Sequence, residues 1–210
     1  MSASARTRRG YHHGDLRAAL VETAIALIGE GGVHAFSLAE ASRRLGVAPS
    51  APYAHFADRD ELLAEIAVRA YERFAAELEL RPAGSAGAAG RLAGMARAYV
   101  CFAAAHRPLF QVLFEAELDK TRFPRIAAAE RPIDAAFRSC VAALADRDTE
   151  ADDLAAAVEA TAHGHAMLML DGRFGQGPGA SEEAAERAAL ATLALVEGRR
   201  LLARPGPAGG

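Results

Sequence analysis

Apolar residues recur at three- and four-residue spacing along most of the chain, the mark of helices that bury one face. Leu16, Leu20, Ala24, Leu27 and Ile28 make one such stripe, from an N-cap at Asp15 to about Glu30, where Gly31-Gly32 supplies a left-handed stop. Ser37 with Glu40 three residues on forms a capping box for a short second helix, with one stripe of Leu38, Ala41 and Leu45 before Gly46. Pro49 and Pro52 frame a brief third helix that runs to about Phe56, because a proline in the first turn loses little backbone bonding. Asp58 and Glu61 cap a long helix to about Leu80, through Leu63, Ile66, Ala70, Phe74 and Leu78. Arg81–Gly87 reads as a linker. Helices follow over about 88–105, 108–118, 131–146 and 150–170, the last behind Thr149 and Asp152. Gly172–Gly179 reads as a loop, Ser181 starts a final helix to about Ala203, and 205–210 form a disordered tail.

Composition strengthens the helical reading. Alanine fills 53 of 210 positions, while the β-branched and aromatic residues that sheets prefer are sparse. The fold class is all-α. No apolar run approaches the ~20 residues of a membrane span, and none follows the arginines of Met1–Gly10 as a secretory leader requires. Two cysteines, Cys101 and Cys140, are too few for a disulfide framework, so a cytoplasmic location is expected.

Charge adds an asymmetry. The net charge of −3 does not itself suggest a nucleic-acid partner. Residues 1–60 nevertheless hold seven Arg against six Asp/Glu, and the rest of the chain 17 Lys/Arg against 21 Asp/Glu. The early excess lies in the arm of residues 1–13, where Arg6, Arg8 and Arg9 face no acid. Such an arm can reach phosphates, since local charge sets the field there; it can equally be a solubilising tail.

A capped short helix, a glycine corner and a second short helix within 37–56 make a helix-turn-helix pattern, whose second helix enters the DNA major groove. The string Ser37-Leu38-x-Glu40-Ala41-x-x-x-Leu45-Gly46-Val47-Ala48-x-x-x-x-Tyr53-x-His55-Phe56, followed by Asp60-Glu61-Leu62-Leu63, resembles the TetR family of bacterial regulators. Arg9-Gly10-Tyr11-His12-His13-Gly14-Asp15-Leu16-Arg17 resembles the entry to the first helix in one branch of that family. Ala162-His163-Gly164, with Leu168 and Leu170-Asp171-Gly172, resembles that branch's C-terminal His-Gly segment, with Ala162 where a tryptophan is common. The resemblance implies a three-helix DNA-binding domain over 14–74, joined by a long helix to a helical ligand-binding and dimerisation bundle over 75–204.

It further implies that Ser50, Ala51, Tyr53 and His55 face DNA. Tyr53 and His55 would hold phosphates, Ser50 a base edge or phosphate, and Ala51 a thymine methyl. No Arg, Asn or Gln on this short helix offers a bidentate base contact, so Arg43 and Arg44 are the alternative readers. Ser37 caps its helix and presents the same N-terminus to a phosphate. Ala57 stands where the family commonly has a lysine, and Arg6, Arg8 and Arg9 are candidates to compensate from a minor groove. Phe56 and Leu45 read as core.

The remaining chemistry is thinner. His163 and His165 lie about 200° apart around a helix, unlike an i, i+4 zinc pair, so no metal and no cofactor are expected. No catalytic string stands in a recognisable context, leaving a helical enzyme or a non-DNA-binding interaction module as the alternative to a DNA-binding repressor. The helix of 150–170 is apolar on two sides: Leu154, Val158, Thr161, His165 and Leu168 on one, His163, Met167 and Leu170 on the other. Either it is the core helix of one bundle, or it packs inward around a ligand and outward on a second subunit. The resemblance favours the second, with a homodimer formed through about 150–170 and 181–203 on a palindromic double-stranded operator. Candidates for the ligand pocket are Met95, Tyr99, Phe102, Phe110, Phe114, Phe137, His163 and Met167, each also explicable as ordinary core, and the effector expected there is small and mostly apolar.

Overall fold

A computed structural model of the chain describes residues 13–79, 87–145, 148–175, 177 and 179–202. They form α1 (His13–Gly31), α2 (Leu38–Leu45), α3 (Arg59–Glu79), α4 (Ala88–Ala105), α5 (Arg107–Glu115), α6 (Pro124–Ala142), α7 (Asp148–Leu170) and α8 (Ala180–Glu197). Single 3-10 turns occur at Ala51–Ala54 and Arg199–Leu201, and no strand occurs among the described residues. The chain is all-α, with an N-terminal helix-turn-helix unit joined through a long helix to a C-terminal bundle. The arm with Arg6, Arg8 and Arg9, the linker over 81–86 and the tail over 205–210 lie outside the described residues.

The caps written in the sequence close the short elements. Ser37, in extended conformation, accepts the Glu40 N–H at 3.2 Å, and Gly46 ends α2 in the left-handed region with φ +67°. Glu40 then turns to Arg43 rather than back to the cap. At α3, Asp58 accepts the Glu61 N–H at 2.9 Å, while the Glu61 carboxylate takes the Ala57 N–H at 2.6 Å.

Three elements depart from the periodic reading. The third helix is one 3-10 turn, because Pro52 has no N–H to send back and its buried ring fixes the chain. Ala51 and Tyr53 bond instead to Ala48 and Ser50, three residues back, at 2.9 and 3.2 Å. The helix expected from 131 begins at Pro124 and runs through Pro132. Pro132 and Ala128, the residue whose carbonyl loses its usual helical N–H partner, are both exposed, on the side of α6 that faces solvent. Lastly, α1 begins at His13, which puts Asp15 inside the first turn rather than at the cap.

Three apolar clusters fill the molecule. The first gathers Leu20, Val21 and Ile28 of α1, Leu38 and Ala41 of α2, Phe56, and Leu62, Leu63 and Ile66 of α3, and is closed by Val112, Phe123 and Ile126. The second joins Ala70 and Phe74 of α3 to Phe102, Phe110 and an alanine seam on α4, α7 and α8. The third holds Leu92, Cys140, Val141, Leu154, Val158 and Val196. Alanines at 96, 103, 162, 166, 184, 185 and 188 let α4, α7 and α8 approach closely, so the seam is dense without large side chains.

Arginines tie the first cluster to its loops. Arg59 donates to the Phe36 and Val33 carbonyls at 3.1 and 2.6 Å and lies 6.0 Å from the Phe36 ring centre. Arg122 pairs with Asp58, and Arg125 donates to the Glu61 carbonyl at 3.2 Å. The start of α6 therefore grips the start of α3.

Asp58 is held below the usual carboxylate range, first by the Arg122 hydrogen bond and then by the Glu61 N–H. Its stabilisation is thus complete above that range and is lost as pH falls through its lowered pKa. Asp58→Ala is expected to cost about 1 kcal/mol in urea unfolding at neutral pH. Asp58→Asn keeps the cap, costs less, and converges with the parent protein in acid.

Candidate functional site

At one end of the molecule, α2 and the 3-10 turn present the residues expected to face DNA. Tyr53 is 59% exposed and Ser50 is exposed, whereas Ala51 and His55 are half-buried. Pro52 and Phe56 point inward and hold the turn against α1 and α3. Phe56 lies in the core and Leu45 packs against it.

Arg43 and Arg44 are exposed but carry intramolecular partners. Arg43 Nε donates to Glu40 Oε2 at 2.9 Å, and Arg44 donates through both terminal nitrogens to Glu30 at 2.6 and 2.7 Å. These bonds hold the Glu40 and Glu30 carboxyls below their usual range. Both guanidinium charges are thus balanced within the protein.

A cavity of about 160 Å³ opens among α3, α4, α5, α6 and α7. Tyr71, Phe74, Tyr99, Phe114 and Phe137 give it aromatic walls, and Met95, Ile133 and Val158 add aliphatic ones. Of the eight residues anticipated there, Met95, Tyr99, Phe114 and Phe137 line it. Phe102 and Phe110 are fully buried core. His163 stands behind the wall, its Nδ1 2.9 Å from the Tyr99 hydroxyl and its ring 5.0 Å from the Phe114 ring centre. Met167 packs on the alanine seam.

The cavity also carries polar groups. The Tyr71 hydroxyl donates to Glu130 at 3.0 Å, and the Lys120 ammonium pairs with the same carboxylate. Burial pushes the Tyr71 and Tyr99 phenols well above their ordinary value, so both stay neutral. The Tyr71, Leu113 and Phe114 walls are shared with a neighbouring cavity of about 140 Å³ beside Lys120 and Glu117, where Glu117 has φ +50°. Among the described residues, no group of three or more His, Cys, Asp or Glu could hold a metal, and no helix is long and apolar enough to cross a membrane.

Comparison with known families decides what the helix-turn-helix unit belongs to. The family described as "Bacterial regulatory proteins, tetR family" matches residues 20–66, and "Tetracyclin repressor-like, C-terminal domain" matches 92–192. The chain is a member of the TetR family of transcriptional regulators. It is accordingly a DNA-binding regulator and not an enzyme.

Solved structures agree with this regulator along nearly its whole length. A Rhodococcus sp. RHA1 protein of unknown function is 30% identical, with TM-score 0.68, over 94% of this chain and 100% of its own. The regulator PfmR of Thermus thermophilus is 21% identical, with TM-score 0.63, over 83% and 97%. A further tetR-family regulatory protein from Rhodococcus RHA1 is 23% identical, with TM-score 0.61, over 86% and 96%. The last two, at that identity, share the fold. No curated protein matches the regulator.

Sequence reasoning missed Tyr71, Glu130, Asp134 and Glu159 on the cavity wall. Glu130, Ile133, Asp134 and Phe137 fall at i, i+3, i+4 and i+7 on α6, so they share one face. That spacing was available as a signal, but a helix started at residue 131 leaves Glu130 outside it.

The Arg44–Glu30 pair generates a test. Glu30→Gln releases one guanidinium charge at the reading end of the regulator. Binding to non-specific DNA should strengthen, and the slope of log affinity against log salt should steepen by about one unit. Fluorescence anisotropy across a salt series reads both; an unchanged slope would remove Arg44 from the phosphate-contacting set.

Proposed function

We propose that the regulator is a homodimeric repressor, working in the cytoplasm, that binds a palindromic operator and is released when a small, mostly apolar effector fills the cavity between α3 and α7. On this reading residues 14–74 bind DNA and 75–204 bind effector and partner. Ser37, Ser50, Ala51, Tyr53 and His55 meet the operator, with Ser50, Arg43 and Arg44 carrying more of the sequence information and Arg6, Arg8 and Arg9 following the minor groove. Each subunit reads one half-site, with centres about 34–36 Å apart or a multiple of that.

The observation that carries effector release is a shared scaffold. Helix α6 puts Ile133, Asp134 and Phe137 on the cavity wall, while Phe123 at its cap and Ile126 in its first turn enter the helix-turn-helix core. Helix α3 does the same with Tyr71 and Phe74 at one end and Leu62 and Leu63 at the other. A ligand that prefers one arrangement of these two helices therefore biases the position of the reading end. Dimerisation is supported by the outer faces of α7 and α8. There Leu168 and Leu190 are 47% and 57% exposed, and a Cβ added at Gly164 would meet open space.

Anisotropy with DNA from upstream of the regulator's own gene tests the whole reading: two subunits are expected per palindrome, and failure to bind any such DNA at low salt would sink it. Tyr53→Ala should weaken operator and scrambled DNA about equally, because phosphate contacts carry no sequence information. Leu190→Glu should shift the protein to monomer in sedimentation and abolish tight operator binding. A coupling of about 1–3 kcal/mol would lower operator affinity roughly 5–150-fold, and operator must weaken effector binding by the same factor.

A further inference from the structure

The cavity walls hold three carboxylates, on Glu130, Asp134 and Glu159, and no lysine, arginine or histidine. Glu130 is engaged by the Tyr71 hydroxyl and by Lys120. Asp134, also on the cavity wall, accepts from Arg138 Nε at 2.9 Å. Glu159 of α7, an exposed residue that also lines the cavity, has no ion pair among the described residues. Its position at the opening puts an uncompensated negative charge above a floor of five aromatic rings.

The chain itself displays what that combination attracts. The Lys120 ammonium sits against Glu130 and 5.9 Å from the Tyr71 ring centre, one cation shared by a carboxylate and an aromatic face. We infer that the ligand of this cavity is an organic cation: an apolar body about the size of one ring, carrying a single ammonium that meets Glu159, with Asp134 beside it. The inference rests on reading the cavity as the effector site. The volume suits such a body, since an apolar space of about 150 Å³ accepts benzene. A neutral ligand seated there gains nothing from the Glu159 charge, and an anion is repelled by it, since Glu159 is the wall carboxylate without an ion pair among the described residues. An ammonium pairs with that charge and lies within reach of the ring faces.

Three probes of matched shape test this on the protein by calorimetry at neutral pH: 2-phenylethylammonium, 2-phenylethanol and 3-phenylpropanoate. The ammonium is expected to bind about tenfold more tightly than the alcohol, and the carboxylate not to bind measurably. Glu159→Gln, an isosteric change at an exposed position, should abolish that preference while leaving the melting temperature unchanged. Asp134→Asn alone should leave most of the preference in place, because its carboxylate is already paired with Arg138. Equal affinity for ammonium and alcohol, a preference that survives Glu159→Gln, or no saturable ammonium binding up to millimolar concentration would each overturn the inference. Operator anisotropy in the same titrations separates the two claims. An alcohol that binds equally well and releases DNA leaves the effector site standing and removes the charge preference. An ammonium that binds through Glu159 without changing operator affinity supports the cation site and overturns its effector role.

Discussion

Helix α3 is buried in two cores at once, and the rest of the molecule is arranged around that constraint. A unit of α1, α2 and a single 3-10 turn has too little apolar surface to stand alone. Leu62, Leu63, Ile66 and Ala67 of α3 supply the missing wall, all essentially without exposure to solvent. Four residues on, the same face continues as Ala70 and Phe74 into the alanine seam of α4, α7 and α8. The helix-turn-helix unit and the cavity thus share a rigid element whose rotation or tilt neither core absorbs by itself.

The second shared element is α6, and it is held by hydrogen bonds as well as packing. Arg122 on Asp58 and Arg125 on the Glu61 carbonyl fasten its start to the N-terminus of α3. Arg59 fastens α3 in turn to the carbonyls of the loop before α2. These guanidinium groups donate to two loop carbonyls, a first-turn carbonyl and the capping carboxylate, and so tie the helix starts together. Helix α1 completes the junction from the other side, since Gly29 lies so close to α5 that a Cβ there would stand 3.2 Å from the Pro108 ring.

The cavity combines two requirements that pull apart. Its aromatic floor gains from excluding water, while Glu130, Asp134 and Glu159 need water or a charged partner. Glu130 is satisfied within the fold by Tyr71 and Lys120, and Asp134 by Arg138. The guanidinium groups at the reading end are balanced in the same manner by Glu30 and Glu40. At both ends of the molecule these charges are balanced by intramolecular partners.

What the sequence determined by itself was local. Helix periodicity, the Ser37 and Asp58 caps, the left-handed Gly46 and the motif from Ser37 to Phe56 depend on residues within one or two turns of each other. The all-α class and the family followed from those signals. Tertiary structure decided the rest. Pro52 turned an expected helix into a 3-10 turn because its ring is buried, and Pro124 and Pro132 were accommodated in one helix because the outer side of α6 is open to water. The aromatic candidates divided in the same way: Phe102 and Phe110 are core, while Phe114 and Phe137 line a cavity. Helical spacing places a side chain on a face of its own helix. Whether that face meets another helix or empty space is set by residues tens of positions away, and no local pattern encodes it.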